Sequence, residues 1–222
     1  MIELIEARKR YSGGQVALDG VNLRVDPGDM VFITGHSGAG KSTLLRLLML
    51  AERCSGGQVR VGGRDLAQLR GSAVARYRRS VGVVFQDHRL LMDRSIEENV
   101  ALPLVISGFP SDEIGRRVRA ALDRVGLLAK GRAYPIQLSS GEQQRVGIAR
   151  AVVHKPPLVL ADEPTGNLDP ELSQETITLF ERFSQVGVTV IVATHDLGLV
   201  RAMGRRRITL HQGMIVDDTL PA

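Results

Sequence analysis

The sequence predicts an α/β fold with a mainly parallel core sheet, an N-terminal antiparallel β layer and a helical insertion. Short β-branched runs alternate with helical patterns, glycine pairs separate strand patterns in the first quarter, and the middle of the chain reads as helical. With 222 residues, 43% of them hydrophobic, the chain can bury one domain core. We expect 1–86 and 156–222 to form the core with its β layer, and 87–155 to form a helical subdomain.

The first half of the chain carries most of the predicted strands. We expect them, in order, over residues 2–7, 16–25, 30–34, 59–61 and 81–85. The stretch 30–34 is apolar at nearly every position, which is typical of a strand covered on both faces. A helix from Lys41 to about Ala51 follows it.

Capping residues mark the helices of the insertion. Ser95 and Glu98 have the spacing of a capping box, and Ser111 is expected to cap a second helix that ends near Gly126.

The second half of the core is predicted from two more apolar strands, over 158–161 and 188–193. Between them, Asp169 followed by Pro170 is typical of the start of a helix.

Composition excludes several classes of protein. A single cysteine, Cys54, excludes a disulfide framework and a cysteine-rich zinc site. Acidic residues interrupt the N-terminal segment where a signal peptide needs an apolar run, and the longest apolar stretch, 100–106, is too short to span a bilayer. The net charge of +5 could favour nucleic acid, anionic lipid head groups or a polyphosphate ligand. Aromatic residues make up only 4% of the chain, which argues against base stacking. We expect the short arginine clusters to be solvated helix faces.

A phosphate-binding loop is the strongest motif. Residues Gly35–Ser42 fit the pattern G-x-x-x-x-G-K-[ST] between a predicted buried strand and a predicted helix. In this setting, backbone amides and the helix N-terminus bind phosphate oxygens. Lys41 can then reach the outer phosphates, while the Ser42 hydroxyl is placed to bind Mg²⁺. The sequence therefore predicts ATP and Mg²⁺ as ligands.

Two carboxylates follow the buried strand 158–161. Asp162 is a candidate for holding Mg²⁺, and Glu163 is a candidate general base that polarises the attacking water. One of the two could instead cap a helix or pair with a cation.

A second phosphate-binding element lies in the segment 138–144, which reads Leu-Ser-Ser-Gly-Glu-Gln-Gln and opens a helix to about His154. Ser139 and Glu142 have capping-box spacing, which could be the whole role of this serine. With these motifs in this order, the chain resembles the ATP-binding-cassette (ABC) ATPases over essentially its whole length. Their signature is usually written LSGGQ, and their core is a P-loop NTPase fold.

The resemblance implies a head-to-tail homodimer in which ATP lies between Gly35–Ser42 of one protomer and Ser139–Gly141 of the other. It implies that Gln86 senses Mg²⁺ and the water, that His195 contacts the γ-phosphate, and that Tyr11 stacks on adenine. The further ATP-binding residues that it implies are Gly35, Ser37, Gly38, Ala39, Gly40, Thr43, Ser139, Ser140, Gly141, Glu142 and Asp169. From the residues alone, His195 could be a packing or capping histidine, and Tyr11 a half-exposed β-layer tyrosine.

One departure from the family pattern is Ser140, which stands where the first glycine of the signature is usual. It adds a Cβ close to the expected nucleotide, so affinity or turnover of the closed dimer is expected to differ.

A chain of this size in this family is expected to be the motor of an assembly with an integral membrane, permease-like subunit, peripheral at the cytoplasmic face of the inner membrane. The stretches 35–40, 85–94 and 135–150 resemble the cell-division subgroup of the family most. ATPases of lipoprotein release or macrolide export are the first alternative. A nucleic-acid-associated ATPase is the second, although no direct nucleic-acid partner is expected, and a regulator without turnover is the third.

Overall fold

Two β-sheets organise the protein in its computed structural model, which describes residues 1–166 and 168–220. The strands are β1 (Ile2–Arg10), β2 (Val16–Val25), β3 (Met30–Thr34), β4 (Gly56–Val61), β5 (Arg64–Asp65), β6 (Val81–Val84), β7 (Leu158–Asp162), β8 (Thr189–Ala193), β9 (Arg206–His211) and β10 (Met214–Thr219). The helices are α1 (Lys41–Leu48), α2 (Ser72–Arg79), α3 (Ile96–Ile106), α4 (Ser111–Arg124), α5 (Ser140–Val152), α6 (Pro170–Gln185) and α7 (Leu197–Met203).

The main sheet has the strand order β10-β9-β3-β8-β7-β6, and all of its strands are parallel except β10. The smaller sheet has the order β2-β1-β4-β5 and is antiparallel. This arrangement confirms the predicted α/β fold with its N-terminal antiparallel layer. The parallel strands of the main sheet have their carboxyl ends on the same side of the sheet. The residues that follow β3, β6, β7 and β8 are therefore neighbours.

Three apolar cores lie around the main sheet. One joins the small sheet, α1 and one face of the main sheet, and a second joins the other face to α6 and α7. The third is formed mainly by α3, α4 and α5, which lie between β6 and β7 in the chain. We propose that this third core makes 87–155 a helical subdomain, apart from the core of 1–86 and 156–222.

Two of the predicted helix caps, Ser95 and Asp169, are confirmed, whereas the prediction at Ser111 is wrong. Ser95 accepts the amide of Glu98 in a capping box, and Asp169 accepts the amide of Leu172. Ser111, however, is the first residue of α4 and not its cap, since the Pro110 carbonyl already accepts the Ile114 amide at 2.9 Å. The helix thus begins one residue earlier than the prediction.

Several boundaries also differ from the prediction. Helix α1 ends at Leu48 because Leu50 has a left-handed backbone, with φ +54°. The first strand runs on to Arg10 since it pairs with both β2 and β4. The C-terminal hairpin of β9 and β10 had no predicted counterpart. In it, Arg206 and Arg207 pair with Asp218 and Asp217, so these arginines are not a solvated helix face.

No helix within 1–166 and 168–220 combines the length and the apolar character needed to cross a bilayer.

Candidate active site

The loop Gly35–Ser42 joins β3 to α1 in a turn that only glycine can make at two positions. Gly35 has φ +144°, and a Cβ there would lie 2.3 Å from the Leu210 carbonyl oxygen. Gly40 has φ +109°, and its Cβ would lie 2.6 Å from the Ala17 carbonyl oxygen. The loop is therefore held closely between β2 and β9, and its conformation presents the start of α1 to the cleft.

Lys41 is the first residue of α1, and its buried side chain lies against this loop. Its Nζ donates to the carbonyl oxygens of Gly35 at 2.8 Å and His36 at 3.3 Å, and lies 3.5 Å from Glu163 Oε1. The ammonium group thus lies between the loop and the end of β7, where it can neutralise negative charge on a ligand in the cleft.

Asp162 lies at the end of β7 beside the start of α1. The Ser42 hydroxyl donates to Asp162 Oδ1 over 3.1 Å. Burial is the main cause that raises the pKa of Asp162, the charge of Glu163 adds to it, and the hydrogen bond from Ser42 opposes it. A carboxylate in such a place is stabilised by a cation, so this pair of oxygen donors suits a metal ion.

Glu163 has a left-handed backbone, with φ +48°, and its amide donates to the Ala193 carbonyl oxygen at the end of β8. Its Oε2 accepts from the His195 amide at 3.3 Å and lies 2.9 Å from His195 Nδ1. Because a carboxylate only accepts, this contact favours the imidazole tautomer with the proton on Nδ1. Glu163 is nearly buried while His195 is 69% exposed, so the pair reaches from the sheet edge to the open cleft.

Tyr11 lies at the opposite wall of the cleft, directly after β1. Its hydroxyl donates to Glu52 Oε1 at 3.0 Å and lies 3.3 Å from the Thr43 hydroxyl. Lys9 binds Glu52 Oε2 at 2.8 Å and holds its ammonium 5.0 Å from the centre of the Tyr11 ring. The hydrogen bond from Lys9 is also the main cause that lowers the pKa of Glu52. A charged network therefore fixes the tyrosine ring.

These predicted residues meet in one open cleft of about 640 Å³. Its walls include Tyr11, Ser37, Gly38, Ala39, Gly40, Lys41, Ser42, Thr43, Gln86, Glu163 and His195. Asp162 contacts the cleft through Ser42, and Gly35 through Lys41. The cleft thus combines a loop rich in amide donors, a buried ammonium group, a carboxylate that contacts a histidine, and an aromatic ring.

The structure does not bring the remaining predicted residues to this cleft. Ser139, Ser140, Gly141, Glu142 and Asp169 are absent from its walls. Asp169 caps α6 through the Leu172 amide at 2.9 Å, and its neighbour Asn167 lies outside the described residues.

The segment before and at the start of α5 forms a separate surface. Ser139 accepts the Glu142 amide at 3.3 Å, and the Glu142 carboxylate accepts the Ser139 amide at 3.0 Å, which confirms the capping box. Ser139 and Ser140 are exposed, while Gly141 is buried so closely that a Cβ would lie 2.9 Å from Leu172 Cδ1. Two serines therefore stand at an exposed helix N-terminus, a position that favours an anion.

Sequence reasoning missed four residues of the site. Gln15, Ala17 and His36 line the cleft, and Glu52 holds Tyr11. His36 lies within the phosphate-binding motif, which could have found it, and its ring meets His211 edge to face at 5.1 Å. The other three lie outside the motifs and carry no signal in a single sequence.

The comparisons with known proteins agree with this geometry. Residues 18–166 match the sequence profile of the family described as ABC transporter. The chain is 55% identical over 213 residues to the cell division ATP-binding protein FtsE of Escherichia coli strain K12, covering 96% of each chain. It is 49% identical over 216 residues to the FtsE of Haemophilus influenzae, covering 97% of this chain and 99% of the relative.

Among solved structures, the chain resembles the ATP-binding cassette MJ0796, described as a dimer in a post-hydrolysis state bound to ADP and Pi. The TM-score is 0.92 at 33% identity, and the match covers 100% of this chain and 99% of the other.

Proposed function

The chain belongs to the ABC transporter family and is an ATP-binding ATP hydrolase of that family, and we propose that it is the motor subunit of a bacterial cell-division complex. In this proposal it acts as a homodimer, peripheral at the cytoplasmic face of the inner membrane. Its partner is an integral membrane subunit of the FtsX type, through which it regulates cell-wall hydrolysis. The observation that carries the proposal is the cleft in which Lys41, Glu163 and His195 converge beside a phosphate-binding loop.

ATP binds in this cleft with its phosphates in the loop. The amides of 35–40 donate to phosphate oxygens, and Lys41 exchanges the carbonyls of Gly35 and His36 for the outer phosphates. Tyr11 stacks on adenine, since its ring lies at the wall of the same cleft and Glu52 fixes it there.

Three oxygen donors would hold Mg²⁺, namely the Ser42 hydroxyl, the Asp162 carboxylate and the Gln86 amide. The raised pKa of the buried Asp162 fits this role, because a divalent cation stabilises the charged form that burial disfavours. Bound Mg²⁺ would neutralise charge on the phosphate oxygens.

Hydrolysis transfers the γ-phosphoryl group to water. The water oxygen bonds to the γ-phosphorus, the bond to the bridging oxygen breaks, ADP leaves, and Glu163 accepts the proton of the water. His195 orients Glu163, since its ring and amide both contact Oε2. Lys41 stabilises the negative charge of the transferred group.

A second protomer completes the site in this proposal. Ser139, Ser140, Gly141, Glu142 and Asp169 lie outside the cleft of their own chain, and the exposed N-terminus of α5 is a receptor for phosphate. The dimeric description of MJ0796 supports the same arrangement here. Closing and reopening of the two chains then converts hydrolysis into relative motion.

The proposed contact with the membrane partner lies next to Gln86. Leu91 is 43% exposed and Met92 is 60% exposed, whereas Leu90 is buried in the core of the helical insertion. Leu91 and Met92 therefore form an exposed apolar tip, with charged Arg89, Asp93 and Arg94 around it. An apolar tip with a charged rim suits a cytoplasmic helix of the partner.

The test is co-purification of the chain with its membrane partner from detergent-solubilised membranes. The double variant Leu91→Glu with Met92→Glu should lose the partner and keep ATP binding. The matched control is Met214→Glu with Val216→Glu, which changes two apolar residues of similar exposure on the edge strand β10. Retention of the partner by the first variant would show that the proposed contact is wrong.

The names of the relatives favour the cell-division role over lipoprotein release or macrolide export. A nucleic-acid-associated role would require DNA binding that persists at physiological salt, which we do not expect.

A further inference from the structure

A second cleft, which we name the basal cleft, opens at the opposite edge of the main sheet from the proposed ATP site. Its volume is about 690 Å³, and it lies between the ends of α4 and α5 on one side and α6 with residues 186–188 on the other. Pro156 and Pro157 in its wall precede β7, and Val188 precedes β8, whereas Glu163 and His195 follow these strands. The parallel strands therefore separate the basal cleft from the nucleotide.

The floor of the basal cleft is apolar. Val152 from the end of α5, Leu179 and Phe183 from α6, and Val186 after α6 contribute to it. Val186 is 76% exposed, while Phe183 is almost fully buried and gives the floor a rigid aromatic surface. A ligand with an apolar body would cover the part of this surface that is exposed, chiefly Val186.

The rim of the basal cleft is basic. Arg124, Lys155 and Arg182 line it, one from each of three chain segments. Among the described residues, none of these three cations has a carboxylate within 4.0 Å or donates a side-chain hydrogen bond. Glu171 and Glu175 lie in an adjoining cavity that Arg124 and Arg182 also line, and neither carboxylate pairs with these two arginines.

Two other arginines near these elements have a carboxylate partner. Arg117 on α4 binds Glu113 at 2.6 Å, and Arg205 after α7 pairs with Glu181 on α6. Three unpaired cations above an apolar floor attract a ligand that brings its own negative charge.

We propose that the basal cleft binds a small amphiphilic anion, a molecule with an apolar body that ends in one carboxylate, phosphate or sulfonate group. Its volume lies in the range of about 300–1,000 Å³ that is usual for small-molecule sites. The three cations complement the charge of the anionic group, and the apolar floor packs against the apolar body of the ligand. A membrane surface is the less favoured occupant, because the proposed partner contact at Leu91 and Met92 lies near the other edge of the sheet, next to Gln86.

The probe for this site is anilinonaphthalene sulfonate, a fluorescent molecule with aromatic rings and one sulfonate group, titrated into the full chain. Laurate should displace it, and dodecanol, which has the same chain without the charge, should compete about tenfold more weakly. Lys155→Glu with Arg182→Glu should raise the probe Kd about tenfold or more. The control, Arg116→Glu with Arg119→Glu on α4, carries the same charge change outside the cleft and should keep the wild-type Kd.

Three results would overturn the assignment. They are an unchanged Kd in the Lys155→Glu, Arg182→Glu variant, equal competition by laurate and dodecanol, and displacement of the probe by ADP, which would place it in the nucleotide cleft. Binding only to anionic lipid vesicles, and not to free laurate, would favour the membrane surface instead. The preference for a small ligand over a membrane surface rests on the proposed function, but none of these readouts requires ATP turnover, so the two can fail separately.

Discussion

The two proposed phosphate-binding regions of the chain differ in how complete they are. Around Gly35–Ser42, Lys41 is buried and Glu163 is nearly buried, and hydrogen bonds from within one chain hold both. At the start of α5, Ser139 and Ser140 are exposed, and within the described part of the chain the Ser139 hydroxyl has its hydrogen-bond partner in the capping box. The fold preorganises the region around Gly35–Ser42. The start of α5 instead presents hydrogen-bond donors to a ligand that its own chain does not hold.

The region around Gly35–Ser42 therefore holds the groups for the reaction, and the start of α5 holds groups that can control it. Preorganised groups next to Glu163 can perform the reaction, while an exposed helix N-terminus adds its effect only when another surface arrives. Substitutions in the two regions should therefore have different signatures.

The largest effect is expected from Glu163→Gln, which removes the proton acceptor of the preorganised region and keeps its size. We expect kcat to fall about 10²- to 10⁴-fold while ATP still binds. Steady-state hydrolysis and nucleotide binding measure this, and Glu171→Gln, exposed in the first turn of α6, serves as the control. A wild-type kcat in Glu163→Gln would exclude this residue as the base, and no hydrolysis by the wild-type chain would favour a regulator.

The second effect comes from Ser139→Ala in the exposed region. Loss of a hydroxyl that donates a hydrogen bond to the phosphate should lower turnover about 10²-fold. Loss of the helix cap should lower the free energy of unfolding by about 1 kcal/mol. Ser95→Ala is the matched control, because it breaks the other Ser/Glu capping box at the start of α3. The two variants should have similar melting temperatures, and equal turnover in both would show that Ser139 is only a cap.

A smaller effect is expected at the adenine wall of the cleft. Glu52→Ala removes the acceptor of the Tyr11 hydroxyl and the partner of Lys9, so KM for ATP should rise about three- to tenfold with little change in kcat. Tyr11→Phe removes the same hydrogen bond and keeps the ring. In the double variant the two effects should overlap, and full additivity would contradict a shared role.

The smallest effect concerns the stability of the protein and its pH dependence. Because burial raises the pKa of Asp162 in the folded state, the folded protein holds this proton more tightly, and ionisation as pH rises lowers stability. Asp162→Asn should therefore raise Tm by about 2–5 °C at about pH 7, measured without nucleotide or Mg²⁺, and less at about pH 4. Asp123→Asn, exposed on α4, should leave Tm unchanged. A lower Tm for Asp162→Asn would contradict this reasoning.

The sequence predicts the preorganised region well because its signals are local. A strand, a glycine-containing loop and a helix follow each other within Met30–Leu48, and the parallel sheet brings Glu163 and His195 to the same edge. Contacts between distant segments carry no such signal. The bond between Tyr11 and Glu52 and the pairing of Arg206 with Asp218 depend on how strands meet.

The sequence also does not show which residues of an apolar run are buried. Leu90, Leu91 and Met92 form one apolar run, yet Leu90 enters the core of α3–α5 while the other two stay exposed. The helix start at Ser111 differs for a local reason, because Pro110 has no amide to satisfy and can itself stand at the cap position.

We propose that each complete site joins Lys41 of one chain to Ser139 of another. Mixing two inactive variants, Lys41→Ala and Ser139→Glu, tests this shared site. In a mixed dimer, one site combines both defects and the other combines the intact loop of one chain with the intact α5 of its partner. We predict that ATP hydrolysis returns on mixing, to at most about a quarter of the wild-type rate for random pairing. A mixture as inactive as its components would contradict the claim.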